Sequence, residues 1–347
     1  MIAKRLERFI SEGAMPGAAL IVAVDRSAVE EVYCGQAAPG VSADAATVWP
    51  LACISKLYTA ATVLRLVELG ELTLSMPVRS VLPSFVDDGR EDVRLRHLLT
   101  HTSGLARATP ERMRRLLAAQ ASVAELTADA YSFPLLFPPG TGFAYTDHGH
   151  VLAAEMASAA TGASFPALVQ ELVLRPLGLN DTFLPQPPSM HGRMAFVHGA
   201  PAPEQFNSPY WRALAHPALG VAATVSDLLH FGLRITSGEL LSRPSIRLMT
   251  TDQTGGDSPG HVMPIYAMRH RPWGMGFSIN GALGNGFEDM ASPRAYDHLG
   301  AGGAILLIDP DASVAIAFAS NLHVDADREG FVRRISTVVG MSLATWS

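Results

Sequence analysis

Lysine is almost absent from this chain of 347 residues, and cysteine and long apolar runs are scarce as well. The only lysines are Lys4 and Lys56, and every other residue among the 26 basic ones is arginine. Two cysteines are too few for a disulfide framework. No apolar run reaches the roughly 18 residues that a membrane-spanning helix needs. We therefore expect neither a disulfide-stabilised scaffold nor a membrane protein.

A strong charge of one sign is also missing. The net charge is −6, and acidic and basic residues are interspersed without the arginine or lysine run that a nucleic-acid surface requires. Residues 1–17 form an amphipathic helical pattern and lack the apolar core of a secretion signal. We expect a cytoplasmic protein that binds no nucleic acid. With 48% hydrophobic residues, the chain can bury a large core in one large domain or two smaller ones.

Strand patterns occur at both ends of the chain. GAALIVAVD, at residues 17–25, is apolar and β-branched, and EEVYCGQAA, at residues 30–38, reads as its hairpin partner. Towards the other end, WGMGFSING, AYDHLGAGGAILLID and ASVAIAFASN predict three successive strands, and a closing helix is predicted from Asp327. The latter two of these strands would join at a turn at Pro310-Asp311.

Helical patterns dominate the middle of the chain, from residue 76 to about 190. This order predicts an α/β (α+β) fold in which an antiparallel sheet is flanked by helices. Residues 1–75 and 205–347 would form the sheet domain, and residues 76–204 would form an inserted, mostly helical domain. The active site is expected at the interface of the two.

The most informative helix starts near Cys53. Pro50 precedes the long apolar segment CISKLYTAATVLRLVELGEL, which stops at Gly70 and, being apolar nearly all round, predicts a buried helix. Cys53 and Lys56 share one face of its first turn. The helix dipole and a nearby amine both favour a thiolate, and an amine can also act as a base, which a guanidinium cannot. By itself the pair fits a nucleophile with a base or charge partner, or a buried cysteine beside a lysine whose amine extends to solvent.

The surroundings of this pair resemble the nucleophile helix of the β-lactamase and penicillin-binding-protein superfamily. The most similar branch contains class C β-lactamases, D-aminopeptidases and related esterases. Its pattern is Ser-x-x-Lys, then Thr-Ala, then a helix ending Glu-x-Gly-x-Leu, and only the serine is replaced here, by Cys53. The further matching stretches, in the expected order, are LLTHTSG at 98–104, Tyr145-Thr146-Asp147, LVLRPLGLNDTF, LGVAATVSDLLHFG and His298-Leu299-Gly300. The resemblance extends over residues 10 to 325.

The resemblance implies a serine-enzyme mechanism with sulfur in place of oxygen. Cys53 would attack an acyl carbonyl, and Lys56 and Tyr145 would share the proton transfers. The backbone N–H groups of Cys53 and Ala301 would form the oxyanion hole.

Four further residues would bind substrate. In the third motif, His298 would contact the substrate or Tyr145, and Gly300 would line the substrate site. Asp147 stands where the family has an asparagine that orients the substrate amide, so it would instead pair with the lysine or select a different substrate. His148 follows directly and is a candidate for the pocket wall.

Other candidates are weaker. Ser55 would point about 100° away from Lys56 around the helix, and no Ser-x-x-Lys occurs anywhere in the chain. His97 and His101 are four residues apart but lack the glutamate of a zinc-protease helix, so we expect structural roles for them. The glycines at 300–303 are too dispersed for a phosphate loop. We expect no metal and no cofactor.

A cysteine at this position favours particular chemistry. Its acyl-enzyme is a thioester, so exchange with an acyl-carrier protein or CoA donor is nearly isoenergetic, and transfer to an amine or alcohol is downhill. We predict a transacylase or thioesterase-like enzyme that acts on a small-molecule acyl ester or thioester in specialised metabolism. Ester or amide hydrolysis, as by a carboxylesterase or peptidase, is the alternative. A catalytically silent, ligand-binding relative and a Ser-to-Cys replacement made to trap substrate also remain open.

Overall fold

Strands from both ends of the chain share one sheet in the computed structural model, which describes residues 1–202, 204–255, 260–261, 272–281 and 289–346. The helices are α1 Ile2–Ser11, α2 Ser55–Glu68, α3 Leu95–Leu99, α4 Pro110–Ala118, α5 Val123–Thr127, α6 His148–Thr161, α7 Phe165–Val169, α8 Pro209–Leu214, α9 Val225–Ile235, α10 Arg243–Thr250 and α11 Arg328–Trp346. The strands are β1 Gly17–Val24, β2 Ser27–Ala38, β3 Val41–Ser42, β4 Trp49–Pro50, β5 Phe143–Ala144, β6 Thr182–Phe183, β7 Ala222–Ala223, β8 Gly260–His261, β9 Ser278–Ile279, β10 Tyr296–Gly300, β11 Ala304–Asp309 and β12 Val314–Ser320.

The main sheet has seven strands in the order β3-β2-β1-β12-β11-β10-β9, and its neighbouring strands are antiparallel. The N-terminal hairpin joins the C-terminal strands where β1 pairs with β12, from Ala18 opposite Ser320 to Val24 opposite Val314. The predicted fold class, an antiparallel sheet flanked by helices, is confirmed.

The two faces of this sheet carry different helices because side chains alternate along each strand. Ala19, Ile21 and Ala23 of β1 face the core that contains α2 and α9. Their neighbours Leu20 and Val22 face a second core that contains α1 and α11. Helix α2 is therefore covered by the sheet on one side and by other helices elsewhere, which agrees with its nearly all-round apolar sequence.

The prediction of a single strand over AYDHLGAGGAILLID is wrong. The segment forms two strands, β10 and β11, which pair with each other around a turn at residues 301–303. Gly303 has φ +109°, a conformation that side chains disfavour, and its N–H donates to the Gly300 carbonyl at 2.9 Å. The strand predicted over WGMGFSING is likewise confined to Ser278–Ile279. The turn places Ala301 at the end of β10.

Short helices fill the middle of the chain, between α2 and β7. Helix α6 lies very close to α3, since a Cβ at Gly149 would come 2.6 Å from the Leu98 carbonyl oxygen. The predicted helical character of this region is confirmed, whereas the domain limits at residues 76 and 204 stay a prediction. Within the described ranges, the helices are all too short or too polar to cross a bilayer.

Candidate active site

Cys53 lies in a tight turn, not in the regular helix. Ala52–Ile54 form a 3-10 turn that leads directly into α2, and the cysteine is 7% exposed. Ala52 has φ +47°, a left-handed conformation that residues with a Cβ rarely adopt. Strain of this kind persists only where the surrounding structure holds it, and it is common at reactive sites. The turn thereby fixes the direction in which the thiol points.

The nearby serine, Ser55, forms hydrogen bonds with the backbone. The Ser55 hydroxyl donates to the Ala52 carbonyl at 2.6 Å and accepts from the Val221 N–H at 2.9 Å, and the side chain is fully buried. These two bonds tie the 3-10 turn to the segment that enters β7. The geometry supports the sequence argument against Ser55 as the nucleophile.

Inside the protein, Lys56 contacts the second predicted motif, Tyr145-Thr146-Asp147. Its Nζ donates to Asp147 Oδ1 at 2.6 Å and to the Ala218 carbonyl at 3.4 Å, and it lies 4.8 Å from the centre of the Tyr145 ring. The lysine is fully buried. Burial by itself raises the pKa of Asp147, but the charges of Lys56 and Arg107 outweigh it and hold that pKa below its usual range. The Asp147 carboxylate is thus ionised and paired with Lys56.

Two histidine rings pack beside Tyr145, and a third packs against one of them. The ring of His101 is centred 4.4 Å from the tyrosine ring and 5.1 Å from that of His150, and His298 lies 6.3 Å from the tyrosine. Burial lowers the pKa of His101 and of His150 well below the usual value, so both are neutral imidazoles near pH 7. Among the described residues, no group of three or more His, Cys, Asp or Glu side chains is arranged to hold a metal ion.

The third motif packs directly on the turn that contains Cys53. A Cβ at Gly300 would overlap the carbonyl oxygen of Leu51, so only glycine allows β10 to approach this closely. Ala301, at the end of that strand, packs against the apolar cluster that contains Ala52 and Cys53. The structure therefore brings the two predicted oxyanion-hole residues into the same cluster.

Replacing Gly300 with alanine is expected to separate the strand from the turn. Because the clash is with a backbone atom, we expect a loss of about 1–3 kcal/mol in the free energy of unfolding and a large loss of any acylation. Urea unfolding and an acylation assay measure the two effects. Gly192→Ala is the control, since a Cβ there meets no atom within 4 Å. If Gly300→Ala behaves like that control, the close approach is unimportant.

The two remaining histidines near the ion pair are both buried. His148 begins α6, and its Nδ1 lies 2.9 Å from the Ala106 carbonyl oxygen. His216, which the sequence analysis missed, accepts from the Ala218 N–H at 3.2 Å and stacks on Trp211. Burial lowers the pKa of His148, and it lowers that of His216 to about 4. A single histidine in a loop gives no sequence signal that would have found it.

Acidification is expected to destabilise the protein through His216. In the unfolded chain this residue takes up a proton near pH 6.5, and in the folded protein only near pH 4. Its contribution is therefore fully present above pH 6.5 and falls by about 3 kcal/mol as the pH drops to about 4. Urea unfolding at pH 6.5 and pH 4 measures the effect: the free energy of unfolding should fall less in His216→Gln than in the native protein. His230→Gln, which replaces an exposed histidine, is the control. An equal fall in the native protein and both variants would contradict the role given to His216.

The surroundings of the thiol are otherwise apolar. Cys53 belongs to a cluster of buried residues contributed by α4, α5, α6 and α8 and by the loop before β7. Its larger members are Leu117, Leu126, Val151, Phe206, Trp211 and Leu219. Cys53 thus lies in an apolar cluster, whereas Lys56, three residues further along, lies against Asp147 and Tyr145.

Comparisons with known proteins agree with the overall fold. The protein family described as Beta-lactamase matches residues 2–337. The chain is 27% identical to penicillin-binding protein 4 of Amycolatopsis lactamdurans over 337 residues, which cover 92% of this chain and 84% of that protein. It is 29% identical to acyltransferase calJ of Penicillium decumbens over 250 residues, covering 61% of this chain and 58% of that one. The solved structure of EstCE1, a hydrolase with promiscuous acyltransferase activity, superposes with a TM-score of 0.80 at 19% identity, covering 97% of this chain and 98% of that one.

Proposed function

The chain belongs to the beta-lactamase family, and on that premise we propose that it is an acyl-transfer enzyme with a covalent acyl intermediate on Cys53. The observation that carries the proposal is the convergence at one turn. The buried ion pair of Lys56 and Asp147, the ring of Tyr145 and the end of β10 all meet around the start of α2. Relatives named as an esterase and an acyltransferase support acyl chemistry in general.

The proposed reaction has two steps. In the first, Cys53 Sγ attacks the acyl carbonyl, and the thiol proton passes through Tyr145 and Lys56 to the leaving alcohol or thiol as its bond to the acyl carbon breaks. The N–H groups of Cys53 and Ala301 would bind the oxyanion. In the second step, an amine, alcohol or water attacks the thioester, loses its proton along the same route and releases the thiol.

The pairing of Asp147 with Lys56 favours esters and thioesters over amides as the proposed substrates. Its carboxylate accepts a hydrogen bond from Lys56, so it is occupied where an asparagine would hold a substrate amide. A thiolate also leaves a tetrahedral intermediate more readily than an amine does, which makes an unactivated amide a poor substrate. We propose a small-molecule acyl ester or thioester as donor, with His298, Gly300 and His148 near it.

Transfer is favoured over hydrolysis by the thioester itself. Exchange with an acyl-carrier protein or CoA donor is nearly isoenergetic, so the enzyme can be loaded and then deliver the acyl group downhill. A cytoplasmic transacylase of specialised metabolism fits this chemistry. Ester hydrolysis remains the second candidate, because curated and solved relatives include an esterase and a carboxylesterase.

Intact-mass measurement tests the proposal. The native protein is mixed with panels of acyl thioesters and esters, and peptide mapping locates any adduct. We expect one acyl group, on the peptide that contains Cys53, and none on Cys34, the other cysteine. Adding an amine, an alcohol or water to the isolated adduct then measures transfer against hydrolysis. If no donor forms an adduct and iodoacetamide fails to label Cys53 near pH 7, the activated thiol is refuted.

A further inference from the structure

A cavity adjoins the cluster that contains Cys53. It is an open groove of about 710 Å³, formed by α6, α7 and the chain that follows α8. Val151, which lines the groove, also belongs to the cluster around the thiol, and Leu214 packs against that cluster. The volume is within the range of roughly 300–1,000 Å³ typical of small-molecule sites. The groove is thus large enough for a ligand and is separated from the nucleophile by shared apolar side chains.

The groove is apolar except for one carboxylate and two serine hydroxyls. Leucine, valine, alanine, proline and phenylalanine side chains form most of the wall, and Glu155 is the one charged residue among the described lining residues. The Tyr131 hydroxyl donates to Glu155 Oε2 at 2.6 Å. Within the described part of the chain, no cationic side chain pairs with this carboxylate. Burial raises its pKa, as expected for a carboxylate with no cation beside it.

We propose that this groove is a binding site for an apolar primary amine. The alkyl or aryl part of the ligand packs on the apolar wall, and its ammonium group pairs with Glu155. Charge complementarity decides the class, because an alcohol leaves the carboxylate without a counter-ion and a carboxylic acid brings a second negative charge.

The same groove contacts a segment that also touches the active site. Pro217 lines the groove, and its carbonyl accepts from the Thr59 hydroxyl at 2.8 Å. The next carbonyl, of Ala218, accepts from Lys56. A ligand packed against residues 214–217 is therefore expected to change the rate at which Cys53 is acylated. Binding itself is independent of the proposed function, and only this effect on the rate rests on it.

Calorimetric titration with hexylamine, hexanol and hexanoate tests the site. We expect hexylamine to bind the full-length protein with one-to-one stoichiometry, about tenfold or more tighter than the other two probes. Cys53→Ala should bind it equally well, and Glu155→Gln should lose the preference for the amine. Ala159→Trp, at the groove, should block binding, whereas Ala160→Trp, on the next exposed residue of the same helix, should not.

Other outcomes of these measurements would overturn the proposed amine site or its coupling to Cys53. Equal binding of the three probes, an unchanged preference in Glu155→Gln or loss of binding in Cys53→Ala would each overturn the site. The rate of adduct formation with saturating hexylamine should change in the native protein and stay constant in Ala159→Trp. A constant rate in both would refute the coupling. If no donor acylates Cys53, the proposed function fails while the titrations still decide whether the groove binds an amine.

Discussion

Cys53→Ala is expected to lose acyl transfer by at least about 10³-fold, since removing the nucleophile of a covalent mechanism leaves only binding and oxyanion contributions. The side chain is small and lies in an apolar cluster, so alanine should fold normally. Turnover of a thioester donor, with the acyl adduct followed by mass, measures the effect. Cys34→Ala is the matched control and should behave like the native protein.

A serine at position 53 distinguishes the contribution of the sulfur atom from that of the surrounding residues. Cys53→Ser keeps the size and position of the nucleophile but supplies an alcohol, which depends more on a general base than a thiol does. We expect slower acylation from thioesters and an ester adduct on the serine. Turnover as fast as that of the native protein would show that the thiol is incidental. Full activity of Cys53→Ala would eliminate the covalent mechanism.

Removing the buried lysine is expected to have the second largest effect. Lys56→Met should reduce the acylation rate by about 10²-fold or more, the usual size of an acid–base contribution. It should also destabilise the fold by about 3–5 kcal/mol, because Asp147 loses the cation that donates a hydrogen bond to it. Single-turnover acylation and urea unfolding measure the two losses separately.

A double variant distinguishes the chemical from the structural loss. Lys56→Met combined with Asp147→Asn removes both charges and should recover most of the stability while acylation stays low. Lys56→Arg should also stay slow, since a guanidinium does not give up its proton. Lys4→Met, at the other lysine, is the control. Recovery of acylation in the double variant would show that Lys56 only neutralises the carboxylate.

Much of this site was predictable because its residues lie in long, regular patterns. The apolar stretch after Pro50 predicts the buried helix, but Cys53, expected in its first turn with Lys56, lies in the 3-10 turn just before it. Tyr145 and Asp147 were identified through the resemblance, and the pairing of Asp147 with the lysine was one of its two expected roles. The hairpin of β1 and β2 and the closing helix followed from simple periodicity.

The rest depends on tertiary contacts that periodicity does not contain. The turn at 301–303 divides what looks like one apolar strand, because the glycines permit a reversal without interrupting the apolar pattern. His216 joins the ion pair from a loop far away in sequence. The left-handed conformation at Ala52 is likewise imposed by its neighbours, since alanine prefers a right-handed helix.

The scarcity of lysine has a practical consequence for chemical conjugation. Lys56 is sealed inside the protein, whereas Lys4 is exposed on α1, which packs on the opposite face of the sheet from α2. Amine-directed reagents should therefore attach dyes or a solid support at Lys4 and the N-terminal amine alone. A molecule attached through Lys4 is held on the face of the sheet opposite to α2, the helix that follows Cys53.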